Sequence, residues 1–308
     1  MMKKKLKHSE AFFGKYRDLW WNHDFLELMA KRWNLSDASS IADIGCGTGH
    51  WSRLIYQFLK PNSKLVGIDL EQEYIKKAPI EFHRAYPKIS KNSYSFIIGD
   101  AVHLPFQSHS FDVVTCQTLL IHLKNPEIAL KEMIRIAKPG GLIICAEPNN
   151  IFEGLDFNSL TAKKSVESLV KIFKYLLRYE RGKILLGEGN NSLGDLLPGL
   201  FAKSGLKDIK VFQSDKTLPI FPPYKEKEQQ ILLKQLMEWK KEKTGGWDRK
   251  KSKKRLMAGG ASEKFFETMW RLSEQDFEAF QNAVKQKKYH KAGGDVFYLV
   301  SGRKSKKS

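Results

Sequence analysis

Three glycines, Gly45, Gly47 and Gly49, lie in the run IADIGCGTGHW from Ile41 to Trp51, with an acid, Asp43, two places before the first. Glycine takes positive φ at little cost and lets a backbone approach a ligand with no Cβ in the way. The residues before them, Ser40 to Ile44, read as an apolar strand. Those after them place Trp51, Leu54, Ile55, Phe58 and Leu59 on one helical face. The glycines are therefore predicted on a strand-to-helix turn, where the start of a helix presents unpaired N–H groups. The next apolar run, KLVGIDL from Lys64 to Leu70, ends beside Asp69, twenty residues after Gly49. A carboxylate at that place can accept both hydroxyls of a ribose, so an adenosine-type ligand is implied.

Dinucleotides and S-adenosyl-L-methionine both meet that requirement, and the loop chemistry separates them. The dinucleotide fingerprint is GxGxxG with a pyrophosphate on the helix N-terminus, whereas this turn is GxGxG preceded by Asp43. An anion repels pyrophosphate but suits the cationic amino acid end of S-adenosylmethionine. With GDAVHLPF (Gly99 to Phe106), FDVVTCQ (Phe111 to Gln117) and AKPGGLIICAEPN (Ala137 to Asn149) following in order, the chain resembles the class I S-adenosylmethionine-dependent methyltransferases. The stretch HLKNP, His122 to Pro126, is similar to one in their small-molecule branch, type 11. The resemblance runs from about Ser40 to Asn149.

The resemblance implies a doubly wound, Rossmann-like α/β fold: a seven-stranded sheet whose last strand is antiparallel, with an N-terminal helix and helical cap insertions. It also implies that the cofactor is held by Asp43, Gly45, Cys46, Gly47 and Gly49 in the first motif, by Asp69 and Leu70 after the second strand, and by Asp100 and Ala101 at the adenine. Gln117 at the end of the fourth strand joins them, as does Tyr16 from an N-terminal helix that closes over the cofactor. No metal is implied.

The first forty residues read as helical, with Phe12, Phe13, Tyr16, Leu19, Trp20, Phe25, Leu28, Met29 and Trp33 recurring on one face. Residues 40–150 alternate strand and helix, which gives parallel βαβ units covered on both faces. Further strands are expected at Ser93 to Gly99, Phe111 to Gln117 and Leu142 to Glu147, with Asn125 and Pro126 opening a helix that Pro139, Gly140 and Gly141 end. Asp43, Asp69, Asp100, Gln117 and Glu147 then fall at or just past carboxyl ends of strands, where such sheets bind ligands.

Beyond Asn149 the alternation stops. Val166, Leu169, Val170, Phe173, Leu176 and Leu177 mark an amphipathic helix within an insertion over 151–192. A core helix and sixth strand, Asp208 to Gln213, occupy 193–218, a second helical insertion spans 219–294, and a last strand follows at 295–303, with a basic tail at 304–308. The loop Lys243 to Gly260 and that tail are the flexible candidates.

The chain of 308 residues carries a net charge of +19, mostly lysine spread along its length, with the densest runs at Lys250 to Arg255 and Gly302 to Ser308. A lysine-rich solvated surface accounts for this better than a nucleic-acid site, since no aromatic-interleaved patch accompanies it. No apolar run approaches the roughly 18 residues of a membrane span, and no signal-peptide core follows the basic start, so a cytoplasmic enzyme is expected. Cys46, Cys116 and Cys145 are an odd set at wide spacing that fits neither a disulfide framework nor a zinc site.

Methyl transfer is an in-line displacement, which asks an enzyme chiefly to position a nucleophile and exclude water. His122 follows the fourth strand and suits a general base for a hydroxyl or acidic carbon; a histidine that only orients its loop is the plainer alternative. Cys116, Gln117 and Thr118 stand where many enzymes that methylate nucleic-acid bases carry (D/N)PPY. A small-molecule methyl acceptor is the expected partner. The alternatives are a methyltransferase acting on RNA or protein, a nicotinamide-dependent oxidoreductase, and a protein that binds S-adenosylmethionine without catalysis. Tyr224, Trp247 and Trp270 are candidate linings of an acceptor pocket, or plain core.

Overall fold

The structure, a computed structural model, describes residues 14–153, 157–294 and 296–306. The chain divides into two compact units: Asn22–Asn149, Gly189–Asp215 and Phe297–Ser308 form an α/β unit, and Met1–Trp21, Asn150–Glu188 and Lys216–Val296 a helical one. Phe12, Phe13, Asp295, Lys307 and Ser308, all named in the sequence reading, lie outside the described residues.

Seven strands form one sheet: β1 (Ser40–Ile44), β2 (Lys64–Asp69), β3 (Tyr94–Ile98), β4 (Phe111–Gln117), β5 (Ala137–Pro148), β6 (Lys207–Gln213) and β7 (Phe297–Arg303), in the order β3-β2-β1-β4-β5-β7-β6. The first five run parallel, and β7 is antiparallel to both β5 and β6. In chain order the helices are α1 (His23–Trp33), α2 (His50–Tyr56), α3 (Gln72–Ala85), α4 (Pro126–Ile136), α5 (Asn150–Glu153), α6 (Val166–Leu185), α7 (Leu197–Lys203), α8 (Lys227–Glu242), α9 (Arg249–Ala258) and α10 (Glu263–Lys285). β1 and β4 are buried nearly throughout because both faces of a central parallel strand are covered. On one face Leu130, Met133 and Ile136 of α4 pack with Val114, Cys116, Ile143 and Cys145. The strand order reverses between β1 and β4, which opens a crevice at their carboxyl ends.

Several expectations are revised in the α/β unit. The first forty residues are not one helix: Arg17–Leu19 is a single 3-10 turn, α1 starts only at His23, and Leu28 is exposed. The fifth strand begins at Ala137, not Leu142: Ala137 already pairs with Phe111 of β4, and the register shifts before Leu142 pairs with Val113. Asn125 does occupy the N-cap of α4, with Pro126 next, but its side chain makes no capping bond. Lys304, assigned to a loose tail, is buried with its Nζ donating to the carbonyls of Arg135 and Ala137 at 3.2 and 3.1 Å.

The helical unit has two apolar clusters, one around Leu218, Ile220, Leu232 and Phe280, the other around Leu256 and Phe266. The stretch Lys243 to Gly260, expected to be a loop, contains α9. That helix escapes an apolar-periodicity reading because it buries Ser252 and Arg255 beside Leu256. It lies so close to α6 that a Cβ on Gly182 would stand 1.7 Å from the Arg255 carbonyl oxygen, and one on Gly259 1.9 Å from that of Arg178. Arg255 therefore sits in the seam, bonded to Tyr179 Oη at 2.5 Å and to Glu188 at 2.8 Å. Tyr224 is also structural: its hydroxyl donates to the Tyr289 carbonyl at 2.9 Å, and Trp247 packs edge-on against Trp270 and Phe277. Among the described residues no helix is long and apolar enough to cross a membrane.

Candidate active site

The turn after β1 is left-handed at each glycine, with φ of 68° at Gly45, 55° at Gly47 and 78° at Gly49. Side chains there would be strained, which is why the sequence has glycine at all three places. Two bonds tie the turn to β2: Cys46 N donates to the Ile68 carbonyl at 2.9 Å, and Gly47 N donates to Asp69 Oδ2 at 2.8 Å. Asp69 Oδ1 accepts from Glu71 N at 2.9 Å. A backbone donor on each oxygen thus holds the carboxylate at the strand end.

Asp43 is buried beneath α2, whose first turn is fastened to the sheet by three successive side chains. His50 Nδ1 lies 3.4 Å from Gln117 Oε1, Trp51 Nε1 donates to Thr115 Oγ1 at 2.8 Å, and Ser52 Oγ donates to Asp43 Oδ2 at 2.5 Å. Asp43 is opposite Thr115 in register, and Gln117 follows two residues on, so the three acceptors share one face of the sheet. The glycine turn is carried into a fixed position by this ladder. Ser52 and Thr115 are the members that sequence reading misses, because a lone serine or threonine on a helix or strand carries no signal of its partner.

Leu70, just past β2, is 66% exposed, and Ile98, opposite Asp69 in β3, is 52% exposed. Asp100, also exposed, accepts from Val102 N at 3.1 Å in a local turn, with Ala101 buried beside it. An apolar shelf flanked by a hydrogen-bond acceptor suits a purine with an exocyclic amine, while Asp69 suits a ribose. The residues present therefore fit the adenosine half of S-adenosylmethionine. Leu119 closes the other side of the turn: a Cβ on Gly45 would stand 2.6 Å from its Cδ1.

Glu147, the penultimate residue of β5, is fully buried, and its Oε1 accepts from Leu119 N at 3.0 Å and Leu120 N at 2.7 Å. Burial pushes its carboxyl up to about 7 against the pull of those amides. The bonds fix the segment after β4, where Thr118 takes a left-handed φ of 51° and Leu120–His122 form a 3-10 turn. His122 is exposed on that turn. Cys46 and Cys116 are held as thiols, their pKa values raised first by burial; the Asp43 carboxylate adds to this at both and the Asp69 carboxylate at Cys46, which removes them as nucleophiles. Asp43, Gly45, Cys46, Gly47, Gly49 and Asp69 are brought together; Leu70, Asp100, Ala101 and Gln117 lie at neighbouring strand ends. Tyr16 belongs to the helical unit, where its ring meets that of Trp239 edge-on at 5.2 Å.

A glycine turn bonded to a strand-end acid on a seven-stranded sheet closed by an antiparallel strand defines the class. The model of the methyltransferase domain family matches residues 35–188, half of the chain, and the chain belongs to that family, the class I S-adenosylmethionine-dependent methyltransferases. It is 33% identical over 111 residues to a demethylmenaquinone methyltransferase of Lactococcus lactis, covering 36% of this chain and 42% of that one. It is 34% identical over 109 residues to an uncharacterised methyltransferase of Schizosaccharomyces pombe, covering 35% and 39%. The matched part thus spans about two fifths of the length of these relatives. Among solved structures, the YcgJ protein of Bacillus subtilis superposes with a TM-score of 0.52 at 18% identity, covering 92% of this chain and 99% of that one. The [4+2]-cyclase SpnF gives 0.50 at 15%, covering 93% and 86%. These two likenesses speak for the fold alone.

Proposed function

We propose that this chain transfers a methyl group from S-adenosylmethionine to a small-molecule acceptor. The observation that carries this reading is the Gly47 to Asp69 bond, which joins the glycine turn to the acid suited to a ribose. The cofactor supplies an electrophilic methyl carbon on a sulfonium. Asp69 would accept the ribose hydroxyls, Asp100 the adenine amine, and Leu70 with Ala101 would flank the ring. Asp43 and Gln117, held by the ladder to α2, would face the amino acid end. His122, exposed on the turn after β4, would take the proton of a hydroxyl or acidic carbon acceptor.

A small-molecule acceptor is supported by the names of the Lactococcus relative and of a Staphylococcus aureus relative, both demethylmenaquinone methyltransferases, and by the lack of (D/N)PPY after β4. A cytoplasmic location accompanies this reading. The net charge of +19 favours a second one, an RNA acceptor, which predicts RNA binding that weakens steeply with salt. Calorimetric titration with S-adenosylmethionine, S-adenosylhomocysteine and NADH in parallel tests the central claim. Binding of the first two without the third is expected; binding of NADH alone would overturn it.

A further inference from the structure

The helix α6 is amphipathic, yet part of its apolar surface points away from the protein. Its packed side carries Tyr179, Gly182 and Lys183, where α9 approaches closely enough to exclude a Cβ. On the opposite side, Val166, Val170, Leu177 and Ile184 are 70%, 59%, 43% and 41% exposed. Their spacing of four, seven and seven residues lays them in one stripe along nearly the full helix. A helix of this length extends about 30 Å, so the stripe is long and narrow. Scattered exposed apolar residues need no explanation, but a contiguous stripe marks a surface that meets something.

The charges beside the stripe say what. Lys174 follows Val170 by four residues and Arg181 follows Leu177 by four, so each base lies along the same side of the helix as the apolar residue before it. Of the two acids in α6, Glu180 is buried and only Glu167, in the first turn, shares the solvent side. An apolar stripe edged by exposed bases is the surface of a helix that lies in a lipid interface, with its apolar residues among the upper acyl chains and its bases against headgroup phosphates. A protein groove would satisfy the stripe alone. The row of cations beside it, in a chain of net charge +19, complements a negatively charged bilayer surface.

We propose that the exposed face of α6 docks this protein onto anionic lipid bilayers, peripherally and without crossing them. The face belongs to the helical unit and the glycine turn with its acids to the α/β unit, so cofactor binding serves as an independent check on folding. Flotation of the full chain with phosphatidylcholine vesicles in which a third of the lipid is phosphatidylglycerol should recover it in the lipid fraction. Vesicles of phosphatidylcholine alone should leave most of it behind. The Lys174→Glu/Arg181→Glu and Leu177→Gln/Ile184→Gln double variants should each lower partitioning at least about tenfold while binding S-adenosylmethionine like the parent. Failure to float with anionic vesicles overturns the proposal, as does flotation that both variants retain. A parent dimer that the Leu177→Gln/Ile184→Gln variant dissociates, with no vesicle binding, would assign the face to a second copy of the chain and overturn it too.

Discussion

The two ends of the central strands treat their acids in opposite ways. At the amino end of β4, Asp112 is saturated: its Oδ2 accepts from Ser39 N, Ser39 Oγ and Ser40 Oγ at 3.1, 2.9 and 2.8 Å, and its Oδ1 from Lys138 Nζ at 2.7 Å. Partial burial works against its charge, but these donors prevail and hold the carboxyl down at about 2. At the carboxyl end of β5, Glu147 is buried more deeply, with Leu119 N and Leu120 N both donating to a single oxygen, and burial prevails there. One end is closed by polar bonds that serve stability. The other keeps polar groups in a dry setting near the crevice, an arrangement that costs stability and is retained where ligands bind.

The sharpest way to test this contrast is Glu147→Gln. Glu147 shifts upward from an ordinary 4.5 to about 7, so its contribution to stability is full below about 4.5 and is lost as pH rises through about 7. The parent should lose about 3 kcal/mol from this group across that window, and the variant, which keeps a carbonyl for Leu119 N and Leu120 N, should not. Denaturant unfolding at pH 4.5 and pH 8 measures the difference. An equal pH dependence in both proteins would mean that Glu147 is not desolvated.

Asp69→Ala addresses the ligand side together with the bond that ties the glycine turn to β2. It should weaken S-adenosylmethionine binding by roughly 1 to 3 kcal/mol in calorimetry, and an unchanged affinity would remove Asp69 from the site. Asp112→Asn is its mirror. Its contribution is present above an ordinary 3.8 and lost as pH falls through about 2, so the variant should be about 1 kcal/mol less stable at neutral pH, after allowance for solvent around this carboxylate. Cofactor affinity should stay at the parent value; a loss there would blur the distinction between the two ends. The smallest effect is expected for Thr118→Gly, which relieves a left-handed backbone at the carboxyl end of β4 and should raise thermal stability by less than about 1 kcal/mol. A fall in stability would show that its hydroxyl bond to the Gln117 carbonyl outweighs the strain.

How far the sequence could be read depended on what each element buries. β1 and β4 span the residues expected of them, and Asp69 was legible because it closes the run of β2. The turn was legible because only glycine tolerates its three positive φ values. α9 was not, since its contact with α6 rests on two glycines and a buried arginine rather than on an apolar stripe. α6 was found from its periodicity, but periodicity does not say which side is packed, and Val166, Val170 and Leu177 turn out to face solvent. The ladder from α2 to the sheet was equally hidden, because Trp51 and Thr115 are far apart in sequence and each is an ordinary residue of its own element.

The strand order also bears on how the chain acquires its structure during synthesis. β5 has β4 on one side and β7 on the other, and β7 begins only at Phe297, after the helical unit has been made. Until then β5 is an open edge, with Cys145 and Glu147 lacking their later neighbours Val300 and Tyr298. An unpaired, largely apolar edge invites pairing with other chains, and closing so long a connection is slow. The nascent protein therefore carries this open edge while about 150 residues, 149–296, are added, and among the described strands the last to emerge is the one that seals the sheet.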